Sequence, residues 1–214
     1  ADGKYDTTLS GNRILAFSNE ASWALDLPMD KMLGYYEQTL QLAFQQQVTI
    51  PDTDYKLLIP SLLSTSWGQK KPYNKDCPEG MMAGCVPVAM AQIINLHHPA
   101  ESASKLIAEL GEMARTHYTP KNSVTNTLHI KPTLMHKGFM PQCRYLSNLN
   151  RKDVQQICRE DLEKGMPLLL SNGDHAFVCD GQWGDYLHFV LGWNGFFDGY
   201  YRLLPADGLS WEPV

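Results

Sequence analysis

Hydrophobic and polar positions divide the chain into a helix-patterned front and a strand-patterned back. Arg13–Phe17 reads as a short strand, followed by a turn over Asn19 to Asp26. Leu33, Tyr36, Leu40 and Phe44 then recur at helical spacing and share one face. They predict an amphipathic helix from an Asp30 cap to about Gln47. The polar stretch from Gln45 to Tyr55 contains Pro51, Asp52 and Asp54 and reads as an exposed connector and domain boundary. Val86 to Leu96 behaves differently. Val88, Ala89, Met90, Ile93, Ile94 and Leu96 make this helix apolar on most sides, as a central buried helix would be, and Pro99 ends it. Further helices are predicted over Ala103–Arg115, Thr127–Lys137 and Arg151–Lys164, the last with Val154, Ile157 and Leu162 inward. From Met166 the pattern turns to short apolar runs: Met166–Leu170, Gly173–Gly181, Tyr186–Leu191 and Gly199–Leu203. Their short connections predict an antiparallel meander, and the whole an α+β fold.

Composition narrows the function classes. With 214 residues, 43% of them hydrophobic, the chain can bury one large core with a small appended unit. A net charge of -5 offers no basic face for nucleic acid. No apolar run approaches the roughly 20 residues that cross a bilayer. Ala1 could follow a removed leader, so a secreted or periplasmic location is expected. The cysteines, Cys77, Cys85, Cys143, Cys158 and Cys179, form no CxxC pair and no zinc-like spacing, which argues against a metal site.

The candidate chemistry sits at the mouth of the central helix. Gly84 permits a sharp turn, Cys85 opens the helix, and Pro87 falls in the first turn, where no N–H partner is lost. A thiol there meets the positive end of the helix dipole, which predicts a lowered pKa. A buried cysteine that packs as a small hydrophobe is the competing reading. A cysteine nucleophile needs a base, and His175, opening a strand just after Gly173, is the leading candidate. His97 and His98 lie at the far end of the helix, about 18 Å from Cys85. His117, His129 and His136 stand in polar surroundings, and His188, in mid-strand, is the rival base. Acyl transfer also needs oxyanion donors. The Cys85 N–H and the Gln69 side chain can supply them, although Gln69 alone is equally an ordinary surface residue.

Four blocks together resemble the streptopain family of cysteine peptidases. They are Trp67-Gly68-Gln69 with Pro72-Tyr73-Asn74, Gly84-Cys85-Val86 through Ile93, Gly173 through Gly181, and Gly192-Trp193 through Leu203. The resemblance implies a papain-like fold with the site between a helical and a β-rich half. It makes Cys85 the nucleophile, His175 the base and Gln69 the oxyanion-hole side chain, with Gly173, Gly192 and Trp193 lining the substrate cleft. No metal or organic cofactor is implied. Ile14-Leu15-Ala16-Phe17-Ser18 and the following helix are similar to the end of the family's propeptide. Residues 1–55 are therefore expected to be a prosegment that inhibits its own enzyme, and 56–214 the peptidase domain, with polypeptides as substrates. The mature enzyme would begin between Val48 and Ser61. One pair of positions departs: Val190 and Leu191 stand where the family has Asn-Trp, the pair that orients and shields the histidine. Valine's side chain can neither accept nor donate, so Asn194 or a backbone carbonyl would have to substitute. Two further functions remain open: a non-proteolytic descendant kept for binding or inhibition, and an amidase acting on small amides or cell-wall peptides. Retention of Cys85, His175 and Gln69 together favours the endopeptidase over the binding protein, whereas the amidase would use the same residues and only substrate profiling separates the two.

Overall fold

The computed structural model describes residues 58–144, 149–171, 174–203 and 211–213. The expected strand at Arg13–Phe17, the helix from Asp30, the connector and Gly173 lie outside them.

The helical half is built around α1 (Cys85–His97). Val86 through Ile94 are all buried, because the helix is wrapped by other elements rather than laid on a surface. α2 (Ala103–Met113) packs against it through Ile107 and Leu110. Its start is set by Ser102, whose hydroxyl accepts the Lys105 N–H. It stops at Met113, short of the expected Arg115, which instead takes a left-handed φ of 54° and reverses the chain. A 3-10 turn (Thr127–His129) leads into α3 (Ile130–His136), which adds Leu134 to the same cluster.

The β half is one antiparallel sheet of β1 (Leu58–Ile59), β2 (Leu168–Ser171), β3 (Ala176–Trp183), β4 (Tyr186–Val190), β5 (Gly199–Leu203) and β6 (Trp211–Pro213). The order is β1-β3-β4-β5-β6, and β2 shares the outer edge of β3 with β1. β2 takes the first half, pairing Ser171 with Ala176, and β1 takes the end, pairing Leu58 with Trp183. The four predicted strands are present, whereas β1 and β6 are not evident from the pattern. Strands of two and three residues are too short to show a period.

β3 explains how the halves join. Ala176 through Gln182 are buried without a break, since both faces of the strand are covered. Phe177 and Cys179 point to α4 (Arg151–Leu162), while Ala176 and Val178 point to the α1 side. α4 starts at an Asn150 cap and buries Val154, Cys158 and Leu162 at four-residue intervals. Ile157, expected inward, is only half-buried, and Cys158 takes its place on the stripe, thiol to thiol with Cys179. The cysteine helix therefore lies directly against the strand that begins one residue after His175.

Candidate active site

Cys85 is the first residue of α1, and Gly84 before it has φ 88°. A side chain at Gly84 would be strained by that φ and would come 3.2 Å from the Ser123 carbonyl oxygen. The glycine thus lets the chain enter the helix at the angle that exposes Cys85 to the cleft. Burial pushes the Cys85 thiol up. The backbone N–H groups of Ala176, Val86 and Cys85 itself act in the opposite direction. The sequence-based expectation of a lowered thiol meets an opposing effect here: burial pushes the thiol up by more than these amides pull it down.

The Ala176 amide also fixes where the histidine sits. β3 begins at Ala176, so His175 is the last residue before the strand, delivered to the mouth of α1. Its Nε2 lies 2.8 Å from the Leu191 carbonyl oxygen. A carbonyl can only accept, so Nε2 carries the proton and Nδ1 is the basic nitrogen of the neutral ring. Trp193 covers the ring, with centroids 4.7 Å apart and planes 29° apart. Phe177 stacks more distantly at 6.2 Å. Burial pushes the imidazole below its usual value, and the Leu191 carbonyl opposes that.

The contact at His175 expected of an asparagine side chain is therefore made by the Leu191 main-chain carbonyl. Val190 is buried among Leu63, Ala89, Ile93 and Val178. Asn194 lies against Gly68 instead, so closely that a Cβ on Gly68 would come within 1.7 Å of the Asn194 side-chain oxygen. Of the two substitutes left open by the sequence, the carbonyl is the one in place.

Gln69 is brought to the same cleft by two ties. Gly68 forms an antiparallel bridge with Trp193, and the Gln69 carbonyl accepts the Ala83 N–H at 3.0 Å, two residues before Cys85. Sequence reasoning missed the residue that anchors this loop from below. Gln92 is completely buried in α1, and its Oε1 accepts the Trp67 N–H at 2.9 Å and the Thr65 hydroxyl at 3.4 Å. The available signal was a lone amide among the apolar positions of a central helix, since a buried amide needs partners.

Gly192 is buried with φ 73°, and a Cβ there would meet Val88 of α1 at 3.3 Å. The loop carrying Trp193 thus closes directly onto the cysteine helix. The rival base His188 is engaged elsewhere: its Nδ1 lies 2.6 Å from the buried Asp180 carboxylate. His97, His98, His117 and His136 are exposed and His129 is half-buried. Among the described residues no group of three or more histidines, cysteines or carboxylates is arranged to hold a metal ion. Nor is any helix there long and apolar enough to cross a membrane. The arrangement offers a thiol at a helix start, an imidazole of fixed tautomer, and amide donors around them, a set suited to acyl transfer.

The family profile described as the peptidase C10 family matches residues 67–104 and 99–201. A prointerpain A fragment from Prevotella intermedia, carrying a cysteine-to-alanine mutation, aligns with a TM-score of 0.65 and 20% identity over 89% of this chain and 81% of its own. The active wild-type interpain A cysteine protease from the same organism aligns with a TM-score of 0.58 and 24% identity over 72% of this chain and 90% of its own. No curated protein matches the chain. The solved structures establish the papain-like α+β fold expected from the sequence. The chain belongs to the peptidase C10 family, the streptopain family, and is a cysteine peptidase.

Proposed function

We propose that the chain is a self-processing endopeptidase precursor in which Cys85 is the nucleophile, His175 the base, and Gln69 with the Cys85 N–H the oxyanion donors. The observation that carries the reading is the Cys85 thiol at the start of α1, next to the Ala176 amide, with His175 held on Leu191. Burial disfavours a lone thiolate and a lone imidazolium alike. The two charges are tolerated together, formed by moving one proton from Sγ to Nδ1, because they then attract one another in a medium of low dielectric. The sulfur attacks the peptide carbonyl carbon and the carbonyl oxygen becomes an oxyanion held by the amide donors. His175 returns the proton to the leaving amine as the C–N bond breaks, and an acyl thioester remains on Cys85. Water, giving its proton to His175, attacks the thioester and releases the acid and the thiol. Trp193 and Gly192 form one wall of the cleft, and Gly173 is proposed as a further substrate-binding residue on the resemblance alone.

Residues 1–55 are proposed as the prosegment, docking on their own enzyme until cleaved. The longer alignment with the precursor structure than with the active enzyme supports this, as does the share of the chain that 56–214 represents. Release outside the cell is proposed with it.

The test is mass spectrometry of the purified chain over time, beside Cys85→Ala. Loss of an N-terminal segment from the wild type and its retention in the variant are expected. Two intact proteins, with no labelling of Cys85 by an irreversible thiol-protease inhibitor after residues 1–55 are removed, would leave the binding-only descendant as the better reading. That alternative rests on Val190, Leu191 and a prosegment shorter than the family's usual one, and the Leu191 carbonyl on His175 answers the first two.

A further inference from the structure

The acceptor that orients His175 is a main-chain carbonyl, so something must hold that peptide still. A side-chain amide can be locked by its own packing, whereas a loop carbonyl moves with the loop. The loop from Leu191 to Asp198 touches the histidine twice, through the Leu191 carbonyl at 2.8 Å and through the Trp193 ring stacked at 4.7 Å. It is tightly wound. Gly192, Asn194, Gly195 and Phe197 all take left-handed φ values, between 58° and 81°. For Asn194 and Phe197 that conformation is disfavoured and needs support from outside the residue.

The support closes across the neck of the loop. Asp198 is 9% exposed, and its Oδ1 accepts the Leu191 N–H at 2.7 Å. The Asp198 N–H donates to the Gly195 carbonyl at 3.3 Å, and the Tyr201 hydroxyl donates to the Phe197 carbonyl. A carboxylate on a buried backbone N–H is a charge-assisted bond and holds its partner more firmly than a neutral acceptor would.

We propose that Asp198 is the positioning residue of the catalytic base: it clasps the loop shut, so that the Leu191 carbonyl and the Trp193 ring hold His175 in one tautomer and one orientation. Asp198 touches no reacting atom and acts only through Leu191. It stands in for the asparagine that the chain lacks, one step removed from the histidine. The proposal rests on His175 being the base.

The test compares Asp198→Ala and Asp198→Asn with the wild type, each expressed as the full chain and read once matured, on one peptide substrate. Asp198→Ala is expected to lower kcat by about 10²-fold, the scale of a misplaced catalytic group, with KM changed less than threefold. The limb of its pH–rate profile that reports His175 should move to lower pH, because the Leu191 carbonyl favours the protonated ring. Asp198→Asn keeps an Oδ1 acceptor and should recover kcat to within about tenfold of the wild type, since a neutral acceptor is the weaker one. Histidine nitrogen spectra in a Cys85→Ala background read the tautomer directly: the Nε2–H form alone with Asp198, a mixture of tautomers in Asp198→Ala. If Asp198→Ala does not fold, Asp198→Asn carries the test by the same two readouts. A folded Asp198→Ala with normal kcat or an unmixed tautomer overturns the proposal, as does an Asp198→Asn that folds yet loses 10²-fold in kcat. His175→Ala run alongside separates the two layers, since activity retained there removes the base assignment itself.

Discussion

Val190 shows how a residue can be absent from its expected role without the role being lost. Its side chain points into a cluster with Leu63, Ala89, Ile93 and Val178, and it is 3% exposed. Restoring the family residue by Val190→Asn would bury an amide among methyl groups instead of reaching His175. A loss of about 1–3 kcal/mol in denaturant-measured stability is expected, with no gain in kcat. Gly192 is the opposite case, where side-chain absence is the function. Gly192→Ala would put a Cβ 3.3 Å from Val88 at a φ of 73°, straining the peptide whose carbonyl holds His175. The backbone term alone is about 1–2 kcal/mol. The variant should lose peptidase activity by more than it loses folded protein, measured by comparing turnover with circular dichroism.

At the scale of elements, the short β1 is held by more than its two paired residues. The Leu62 N–H donates to the Asp180 carbonyl at 2.9 Å, and the Leu63 N–H and Ser61 hydroxyl donate to the Asp180 carboxylate. Asp180 is fully buried and also takes His188. Removing the segment would leave a buried carboxylate with two of its three donors gone, at a cost of about 1–3 kcal/mol for each one lost. A chain starting at Leu58 should therefore keep its cooperative unfolding, and one starting at Thr65 should unfold at markedly lower denaturant. The same argument confines the proposed activation cut to bonds before Leu58, narrower than the range from Val48 to Ser61 that the sequence allowed. Terminal sequencing of the mature form checks this, and a mature enzyme beginning after Leu58 would contradict it. Gly68 offers a second check on how the elements meet. Gly68→Ala would collide with the Asn194 side chain at 1.7 Å and with its backbone nitrogen at 2.8 Å, so the bridge to Trp193 must open.

Across the whole molecule, the buried thiols and phenols and the His175 imidazole share one tendency, which is to stay neutral. Burial pushes up the thiols of Cys77, Cys85 and Cys179 and the phenols of Tyr118, Tyr200 and Tyr201, and pushes down the imidazole of His175. On the alkaline side the unfolded chain gives up these protons first, so it binds fewer than the folded one and stability falls as pH rises. That loss should begin near the usual thiol value of 9.0. On the acid side the unfolded chain takes up the His175 proton first, so stability falls as pH drops below the usual imidazole value of 6.5. Denaturant titrations from pH 5 to pH 10 should show a plateau between these values and a steeper alkaline flank. His175→Gln should flatten the part of the acid flank that His175 contributes.

The sequence by itself determined the helix that carries Cys85, the four longer strands and the antiparallel connection, and it singled out Cys85 and His175 as the candidate nucleophile and base. Those features are written in local periods, in breakers such as Gly84 and Pro99, and in residue types that few chemistries use. It read Ile157 as inward because a single residue's place on a stripe depends on what lies opposite, and Cys179 lies opposite Cys158. It took the helix start to lower the Cys85 thiol, because depth of burial has no signature in order along the chain. Only the tertiary structure decided what orients His175. A main-chain carbonyl is present at every residue and so carries no sequence signal. Which one reaches a ring depends on a loop folding back on itself, here from Leu191 to Asp198.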